Sequence, residues 1–402
     1  MLHLLLFAVS TFANLPLLQA QTRALAVSPD VAIARSRVDE QQALFQQARA
    51  AFGPALTANY VEAPQGAPEG TIAQRLTTVG AQLTLGDLIA YSPAVAQANA
   101  NLRAATFDLA NAQRTERISV IRLYFGALSA NATLSARVQA LASAQAQQRA
   151  AQLRFNAGDA PHLDVVRAAI AQAQAQAQLA TAQADRRNAY AALEIETGAA
   201  ENDLMQLANA ALPAFQNAPA VDAAVQSAVA ARPEIAAAQA NVVAEEHAVG
   251  VARRGGLPVL TLNGGYTSGV DSGFKASGPS ATANLTFPVG GGPHARVLAE
   301  EARLEQARSQ LEKVRRDVAT EVASAVRSYA AQGAALDAAA RALSEASMEL
   351  RATELGYRNG ASSSLDVESA RSTYTQALVD DISATYAKAE AEATLQLLMG
   401  RP

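Results

Sequence analysis

The sequence contains no cysteine and no tryptophan, and only 5% of its 402 residues are aromatic. Without cysteine the chain forms no disulfide, offers no thiolate to zinc or a substrate, and cannot be lipidated on an N-terminal cysteine. A net charge of −4 provides no basic stripe for a phosphate backbone, so we expect no nucleic acid among its partners. Beyond the first 20 residues there is no long apolar run, which excludes a membrane-spanning helix from that part of the chain.

Small apolar residues are what the sequence has in excess. Hydrophobic residues make up 50% of the chain, and alanine, the strongest helix former, is their largest share. We therefore expect long helices that pack closely through small side chains. Residues 1–13 are an apolar segment typical of a secretory signal, with cleavage near Ala13 or as late as Ala20.

An internal repeat organises the chain. Ser28-Pro-Asp-Val-Ala recurs as Arg232-Pro-Glu-Ile-Ala at a spacing of 204, and after a shift of two residues Leu163-Asp164-Val165 recurs as Leu365-Asp366-Val367. A register kept over so much of the chain indicates two copies of one supersecondary unit. We expect a first repeat at 14–200, a linker at 201–232 and a second repeat at 233–402.

Each repeat predicts the same order of elements. A helix opens at Pro29 or Pro233, because proline suits the first helical position. Two strands follow, then a long helix, a glycine-containing turn and a returning helix, and leucine or valine recurs every seven residues along the long helix, as in a coiled coil. The predicted strands cover 55–62, 75–85, 259–266 and 280–289, and the predicted long helices cover 91–155 and 295–357. The fold class is mainly α with a small β part.

Four strands do not close a sheet. In lipid the two open edges of such a sheet would leave backbone groups unpaired, and the smallest membrane barrels have about eight strands. The strands of this chain therefore predict a barrel shared between identical copies, arranged with closed symmetry.

Two tandem copies of this arrangement, with Leu-Asp-Val after each turn and Phe287-Pro-Val-Gly-Gly at a strand exit, resemble the TolC-type outer-membrane efflux family. The resemblance covers nearly the whole chain. It implies a homotrimeric channel, with a β-barrel in outer-membrane lipid and an α-barrel extending into the periplasm of a bacterium. It also implies a periplasmic adaptor (membrane fusion) protein and an inner-membrane pump as partners. No motif in the sequence predicts a cofactor or a metal site.

The turns after the long helices are the candidate sites. The resemblance places them at the periplasmic tips, where an adaptor docks and the tunnel narrows. The docking candidates are Phe155, Gly158, Leu163, Tyr357, Gly360 and Leu365.

The pore or gate candidates are four charged residues beside the same turns. A threefold ring of Asp366 would favour cations, and Asp164 is the second candidate. Arg154 and Arg358 are candidates to pair with these carboxylates. Simple helix capping is the alternative for both aspartates, and solvated surface charge is the alternative for both arginines.

These observations predict an export duct in a tripartite efflux system. A channel for type I protein secretion is the alternative within the class, and a periplasmic coiled-coil adaptor or structural protein is the alternative from another class. An enzyme is not expected, because no nucleophile, base or metal-ligand cluster emerges and the four histidines are scattered.

Overall fold

The computed structural model describes residues 16–50, 53–63, 74–199, 215, 218–271, 274–288 and 290–400. The signal-like segment 1–13 and the first part of the predicted linker, residues 201–214, lie outside these ranges.

The described residues of the first repeat form four helices and two strands. Their bounds are α1 Leu17–Val27, α2 Pro29–Ala50, β1 Ala55–Ala63, β2 Gln74–Thr84, α3 Leu85–Asn156 and α4 His162–Thr197. The Ala-Gln tract at 171–178 lies within α4, as its helical interpretation predicts.

The same elements follow a second time in the same order, the first of them within the predicted linker 201–232. Their bounds are α5 Val221–Ala231, α6 Pro233–Arg254, β3 Val259–Asp271, β4 Phe274–Thr286, α7 Gly292–Arg358 and α8 Ser364–Leu398. Equivalent helices have nearly equal lengths, for example 72 residues in α3 and 67 in α7, and 36 in α4 and 35 in α8. The predicted class, long helices with a small antiparallel sheet in two repeats, is confirmed.

Several predicted boundaries differ from the structure. The helix α3 begins at Leu85 and includes Pro93, whereas we predicted a start at position 91. The strand β3 continues to Asp271, and β4 runs over Phe274–Thr286 rather than 280–289. The register Val270↔Lys275 shows why: β3 and β4 form a long hairpin whose distal part, rich in glycine and serine, lacks the apolar alternation of a typical strand.

All four strands form one antiparallel sheet in the order β1-β2-β3-β4. The hairpins of the two repeats are joined through β2 and β3, over the register from Arg75↔Val270 to Thr84↔Thr261. Consequently β1 and β4 are the two edges of the sheet within one chain.

The chain divides into two compact units. The first comprises the described parts of 1–32, 111–232 and 317–402. Its core joins α1 to the helices α3, α4 and α8 through fully or nearly fully buried side chains, among them Val120, Tyr124 and Leu193. Alanines fill much of the remaining core, as the composition predicts.

The second unit comprises the described parts of 33–110 and 233–316 and includes the sheet. The helix α6 buries Ile235 and a series of alanines. Exposed ion pairs link α6 to α7, with Arg253 Nη2 lying 2.8 Å from Glu301 Oε1 and Arg308 Nη2 lying 3.4 Å from Glu246 Oε1. Because these pairs are exposed, each contributes at most about 1 kcal/mol.

Candidate functional site

Over its middle rows, one face of the sheet is apolar and exposed. The registers place Ala58, Val79, Tyr266 and Pro279 in one row across the four strands, and Leu56 lies in the next row on the same face. The side chains of Leu56, Val79 and Tyr266 are 88%, 58% and 55% exposed. A soluble antiparallel sheet buries its apolar face, so the described sheet has the reverse arrangement.

Over the same middle rows, the opposite face of the sheet is polar. Across β3, the residues on this face are partly buried, whereas those of the apolar face are exposed, so the alternation of burial follows the strand period of two. On this face Thr78 Oγ1 lies 3.0 Å from Thr267 Oγ1, and Asn263 Nδ2 donates to Thr282 Oγ1 at 3.3 Å. Its polar side chains therefore bond to one another across the strands.

The two helical hairpins turn through the same backbone motif. In the first turn Gly158 N donates to Phe155 O and Asp159 N donates to Arg154 O, at 3.0 and 2.9 Å. In the second turn Gly360 N donates to Tyr357 O and the next amide donates to Gly356 O, at 3.2 and 2.7 Å. This pattern of six-to-one and five-to-two bonds is the Schellman motif of a helix end.

The Schellman motif requires a left-handed residue at the position of the two glycines. Gly158 has φ +82° and Gly360 has φ +75°, and any other L residue there would be strained. The left-handed conformation that the sequence predicts at these positions is confirmed. Their role in docking stays a prediction.

The helices that follow the two turns begin differently. In α8, Ser363 is the N-cap of a capping box, because its hydroxyl accepts from Asp366 N and the Asp366 carboxylate accepts from Ser363 N. In α4 the N-cap is Pro161, which has no side-chain acceptor. Asp366 is therefore the N3 residue of a helix capping box in this chain, and its role in the pore stays a prediction.

The two aspartates also differ in exposure and partners. Asp366 is fully exposed, and hydrogen bonds from the Ser363 amide and hydroxyl hold the pKa of its carboxyl below its ordinary value. The carboxylate of Asp164 is largely buried, accepts from Ser364 Oγ at 2.6 Å and lies 4.0 Å from Arg167 Nη1. Asp164 thus links the two hairpins, whereas Asp366 acts within its own turn.

Within one protomer, the two predicted arginines contact groups other than the two aspartates. The guanidinium of Arg154 lies over the ring of Tyr357, 4.8 Å from its centroid, and this cation–π contact also joins the hairpins. Arg358 lines a cavity beside the turns with its side chain partly in solvent. The pairing of these arginines with Asp164 or Asp366 stays a prediction.

The apolar docking candidates beside the turns are exposed. The exposed fractions are 38% for Phe155, 53% for Leu163 and 52% for Leu365. The ring of Phe155 packs edge to face against His162, with centroids 5.3 Å apart, so this histidine has a structural contact at the turn. Each hairpin end thus carries apolar side chains that the described chain covers only in part.

Charged residues alternate along the walls of a cavity of about 340 Å³ between the ends of α3, α4, α7 and α8. Arg371 Nη2 lies 2.6 Å from Glu354 Oε1, and its Nη1 donates to the backbone carbonyl of Ser143 at 3.4 Å. Burial raises the pKa of Glu368, and the positive charges of Arg167 and Arg371 oppose that shift. This network ties the hairpins together close to the turns.

Sequence reasoning missed Glu354, Ser364 and Arg371. Their contacts join residues of different helices, up to 200 positions apart, and periodicity carries no information about such pairs. The Ser-x-x-Asp pattern of Ser363 and Asp366 was the one readable signal, since it is close to the capping-box sequence.

Neither a metal-binding cluster nor a membrane-crossing helix occurs among the described residues. No group of three or more His, Asp or Glu side chains in these ranges is placed to hold a metal ion. Among the helices of the described parts, none is long and apolar enough to cross a membrane.

Comparison with solved structures identifies the fold as that of outer membrane channels. CusC, whose crystal structures concern folding and transmembrane channel formation, matches with a TM-score of 0.84 and 20% identity, over 97% of this chain and 93% of its own. The CmeC outer membrane channel of Campylobacter jejuni matches at 0.81 and 19%, over 96% and 85%. The outer membrane protein VceC of Vibrio cholerae matches at 0.80 and 21%, over 96% of both chains.

The family follows from the sequence itself. The model of the outer membrane efflux protein family matches residues 20–199 and 224–401, so this chain belongs to that family. Both halves match, as the internal repeat predicts. The sequence has no significant match among curated proteins.

Proposed function

We propose that the protein is the outer-membrane channel of a tripartite efflux system: a passive duct formed by three copies, which docks on a periplasmic adaptor and an inner-membrane pump. The polarity of the sheet is the observation that carries the proposal. An exposed apolar face opposite a polar one suits a surface between lipid and water.

The open edges of the sheet support the assembly. In hydrocarbon each unpaired backbone group on β1 and β4 would cost several kcal/mol, so a single copy is unstable in a membrane. Three copies contribute twelve strands, and edge-to-edge pairing of β1 with β4 of the next copy closes the barrel. The apolar rows then face lipid, and the polar rows face the lumen.

The hairpin ends supply the docking surface and the charged constriction in this proposal. Exposed Phe155, Leu163 and Leu365 offer apolar contacts to an adaptor, and the glycine turns let a partner helix approach closely. Asp366 is exposed and ionised at neutral pH, so a ring of three such carboxylates would favour cations. Three neighbouring charged residues would hold the hairpin ends closed around this ring or let them open: Asp164, Arg154 and Arg358.

The test uses purified full-length protein in planar bilayers. We expect an oligomer of three times the protomer mass, stepwise conductance and a preference for cations. In the Asp366→Asn variant the amide oxygen keeps the capping acceptor and the charge is lost, so the oligomer should persist while the cation preference falls.

Three outcomes decide between the alternatives. A water-soluble monomer without conductance would overturn the channel and favour a coiled-coil rod. A channel whose ion preference ignores Asp366→Asn would leave that residue as a helix cap alone. Copurification with an adaptor for a small-molecule pump, rather than with a protein-secretion ATPase, would place the channel in efflux.

A further inference from the structure

The cavity between the two hairpin ends has the size of a small-molecule site. Its volume of about 340 Å³ falls within the range of ligand pockets, about 300–1,000 Å³. Part of its wall is apolar and closely packed, since Val367 is buried and Ala151 and Ala168 belong to a small buried cluster. The side chain of Tyr357 lines the cavity as well. The cavity therefore offers an apolar surface on which the body of an organic ligand can pack.

The charged part of the wall carries one more guanidinium than carboxylate among the described residues. The guanidiniums belong to Arg154, Arg167, Arg358 and Arg371. The carboxylates belong to Asp164, Glu354 and Glu368. A ligand with a single negative charge would therefore balance the described wall.

The surplus positive charge lies at Arg154 and Arg358. Arg371 is paired with Glu354, and Arg167 lies beside Asp164, as described above. The guanidinium of Arg154 has only its contact with the ring of Tyr357, and that of Arg358 makes no hydrogen bond or ion pair within the described parts of the chain. Both arginines are exposed, so they lie at the open side of the cavity, where a ligand would enter.

The fold does not require these two charges. In the register of the internal repeat, Arg154 corresponds to Gly356 in the other hairpin, and Arg358 corresponds to Asn156. Both hairpins nevertheless turn through the same Schellman motif. Because each turn forms without the charge that the other one carries, neither arginine is needed to build a hairpin end, and both are available for binding.

We infer that this cavity binds a small organic anion with one carboxylate and an apolar body. The carboxylate pairs with the guanidiniums of Arg154 and Arg358, whose planar groups suit bidentate hydrogen bonds to such an anion. The apolar body packs against the alanines and Tyr357. The three carboxylates of the wall repel a second negative charge, which disfavours dianions such as sulfate.

A bound ligand contacts both hairpins, because the cavity lies between the ends of α3, α4, α7 and α8. Binding therefore favours the arrangement of the hairpins in which the cavity exists. The inference goes beyond the proposed channel function and does not depend on it, since binding is measured on the purified protein without any conductance.

The probe is 2-naphthoate, an aromatic monocarboxylate. Since the chain contains no tryptophan, the naphthalene fluorescence can be excited where the protein does not absorb, and its anisotropy reports binding to the detergent-solubilised full-length protein. Uptake of the probe by empty micelles is subtracted. The test variant is Arg358→Gln, and the matched control is Arg351→Gln on the same helix, because Arg351 bonds to Ser347 and lies outside the cavity lining.

We expect the unmodified protein and Arg351→Gln to bind 2-naphthoate equally, and Arg358→Gln to bind it about ten-fold more weakly, as the loss of one charge-assisted contact predicts. The neutral analogue 2-naphthalenemethanol should also bind about ten-fold more weakly than the anion. Ala171→Leu should abolish binding while every arginine is kept, because Ala171 lines the cavity and the larger side chain fills it.

Three results would overturn the inference. Equal affinity of Arg358→Gln and the unmodified protein would mean that the anion binds elsewhere. Equal binding of the neutral analogue would leave an apolar cleft without recognition of charge, and displacement of 2-naphthoate by sulfate would contradict the class of ligand. The channel proposal fails separately: a protein that binds the probe but does not conduct would refute the channel and keep this site.

Discussion

Replacing Gly80 by alanine should weaken the junction between the two repeats. Gly80 and Gly265 face each other across β2 and β3, at the place where the hairpins of the two repeats meet. A Cβ on Gly80 would lie 2.5 Å from Gly264 O and 3.0 Å from Gly265 Cα. Both neighbours are backbone atoms of a paired strand, so the strands themselves must move apart to admit the methyl group.

The cost follows from this overlap. Forcing a methyl group into a closely packed site costs about 1–3 kcal/mol, whereas an alanine that fits raises stability by about 0.4–1 kcal/mol through the unfolded chain. Gly264→Ala is the matched control, because its Cβ meets nothing within 4 Å. The two variants should therefore differ by about 2 kcal/mol, or roughly 4–8 °C in the melting midpoint of a unit of this size.

Scanning calorimetry of the detergent-solubilised protein at one scan rate measures this difference. Gly265→Ala should fall between the two variants, since its Cβ would lie 2.9 Å from Val79 O. Equal midpoints for Gly80→Ala and Gly264→Ala would refute the reasoning, because they would mean that β2 and β3 are not paired in this register.

Three further predictions concern the helical unit, each measured by urea unfolding. Leu193→Ala should cost about 2–5 kcal/mol because Leu193 is fully buried, whereas Ile195→Ala on the same helix, where the side chain is 79% exposed, should cost less than about 0.5 kcal/mol. Burial raises the pKa of Glu116 above 4.5, so the free energy of unfolding should fall as pH rises from 4.5 through the raised pKa, and Glu116→Gln should remove that slope. Ser363→Ala should cost about 0.5–2 kcal/mol by removing the N-cap of α8, and an unchanged midpoint would contradict the capping box.

The sequence predicted the order of elements well because each element leaves a local signal. Proline at Pro29 and Pro233 marks helix starts, glycine at Gly158 and Gly360 marks helix ends, and the repeat tests each assignment twice. The strand ends were predicted less well. The apolar alternation of strand β4 is confined to its second half, and serine, glycine and alanine obscure its first half, so the register with β3 was needed to find its start.

The candidate site was predictable in position but not in its contacts. The turns and their aspartates follow from the repeat, whereas the partner of Asp164 is Ser364, which lies 200 residues away and next to the other turn. Arg167, three residues further along α4, lies 4.0 Å from the same carboxylate, and the sequence pattern did not indicate this contact. Such pairs depend on which helix faces meet in the bundle, and a pattern along one helix does not determine this.

The differences between the repeats show where the chemistry of this chain is concentrated. Equivalent positions Ser28 and Arg232 both precede a helix-opening proline, yet Ser28 Oγ donates to Glu116 while the buried Arg232 pairs with Glu321. The backbone conformation is the same in the two repeats, whereas the charged contacts differ. The same holds at the hairpin ends, where Asp164 is enclosed between the hairpins and Asp366 is exposed. In the proposed trimer the two repeats therefore do not supply equivalent carboxylates: one ring of three exposed aspartates faces water, and the other three hold the hairpins together.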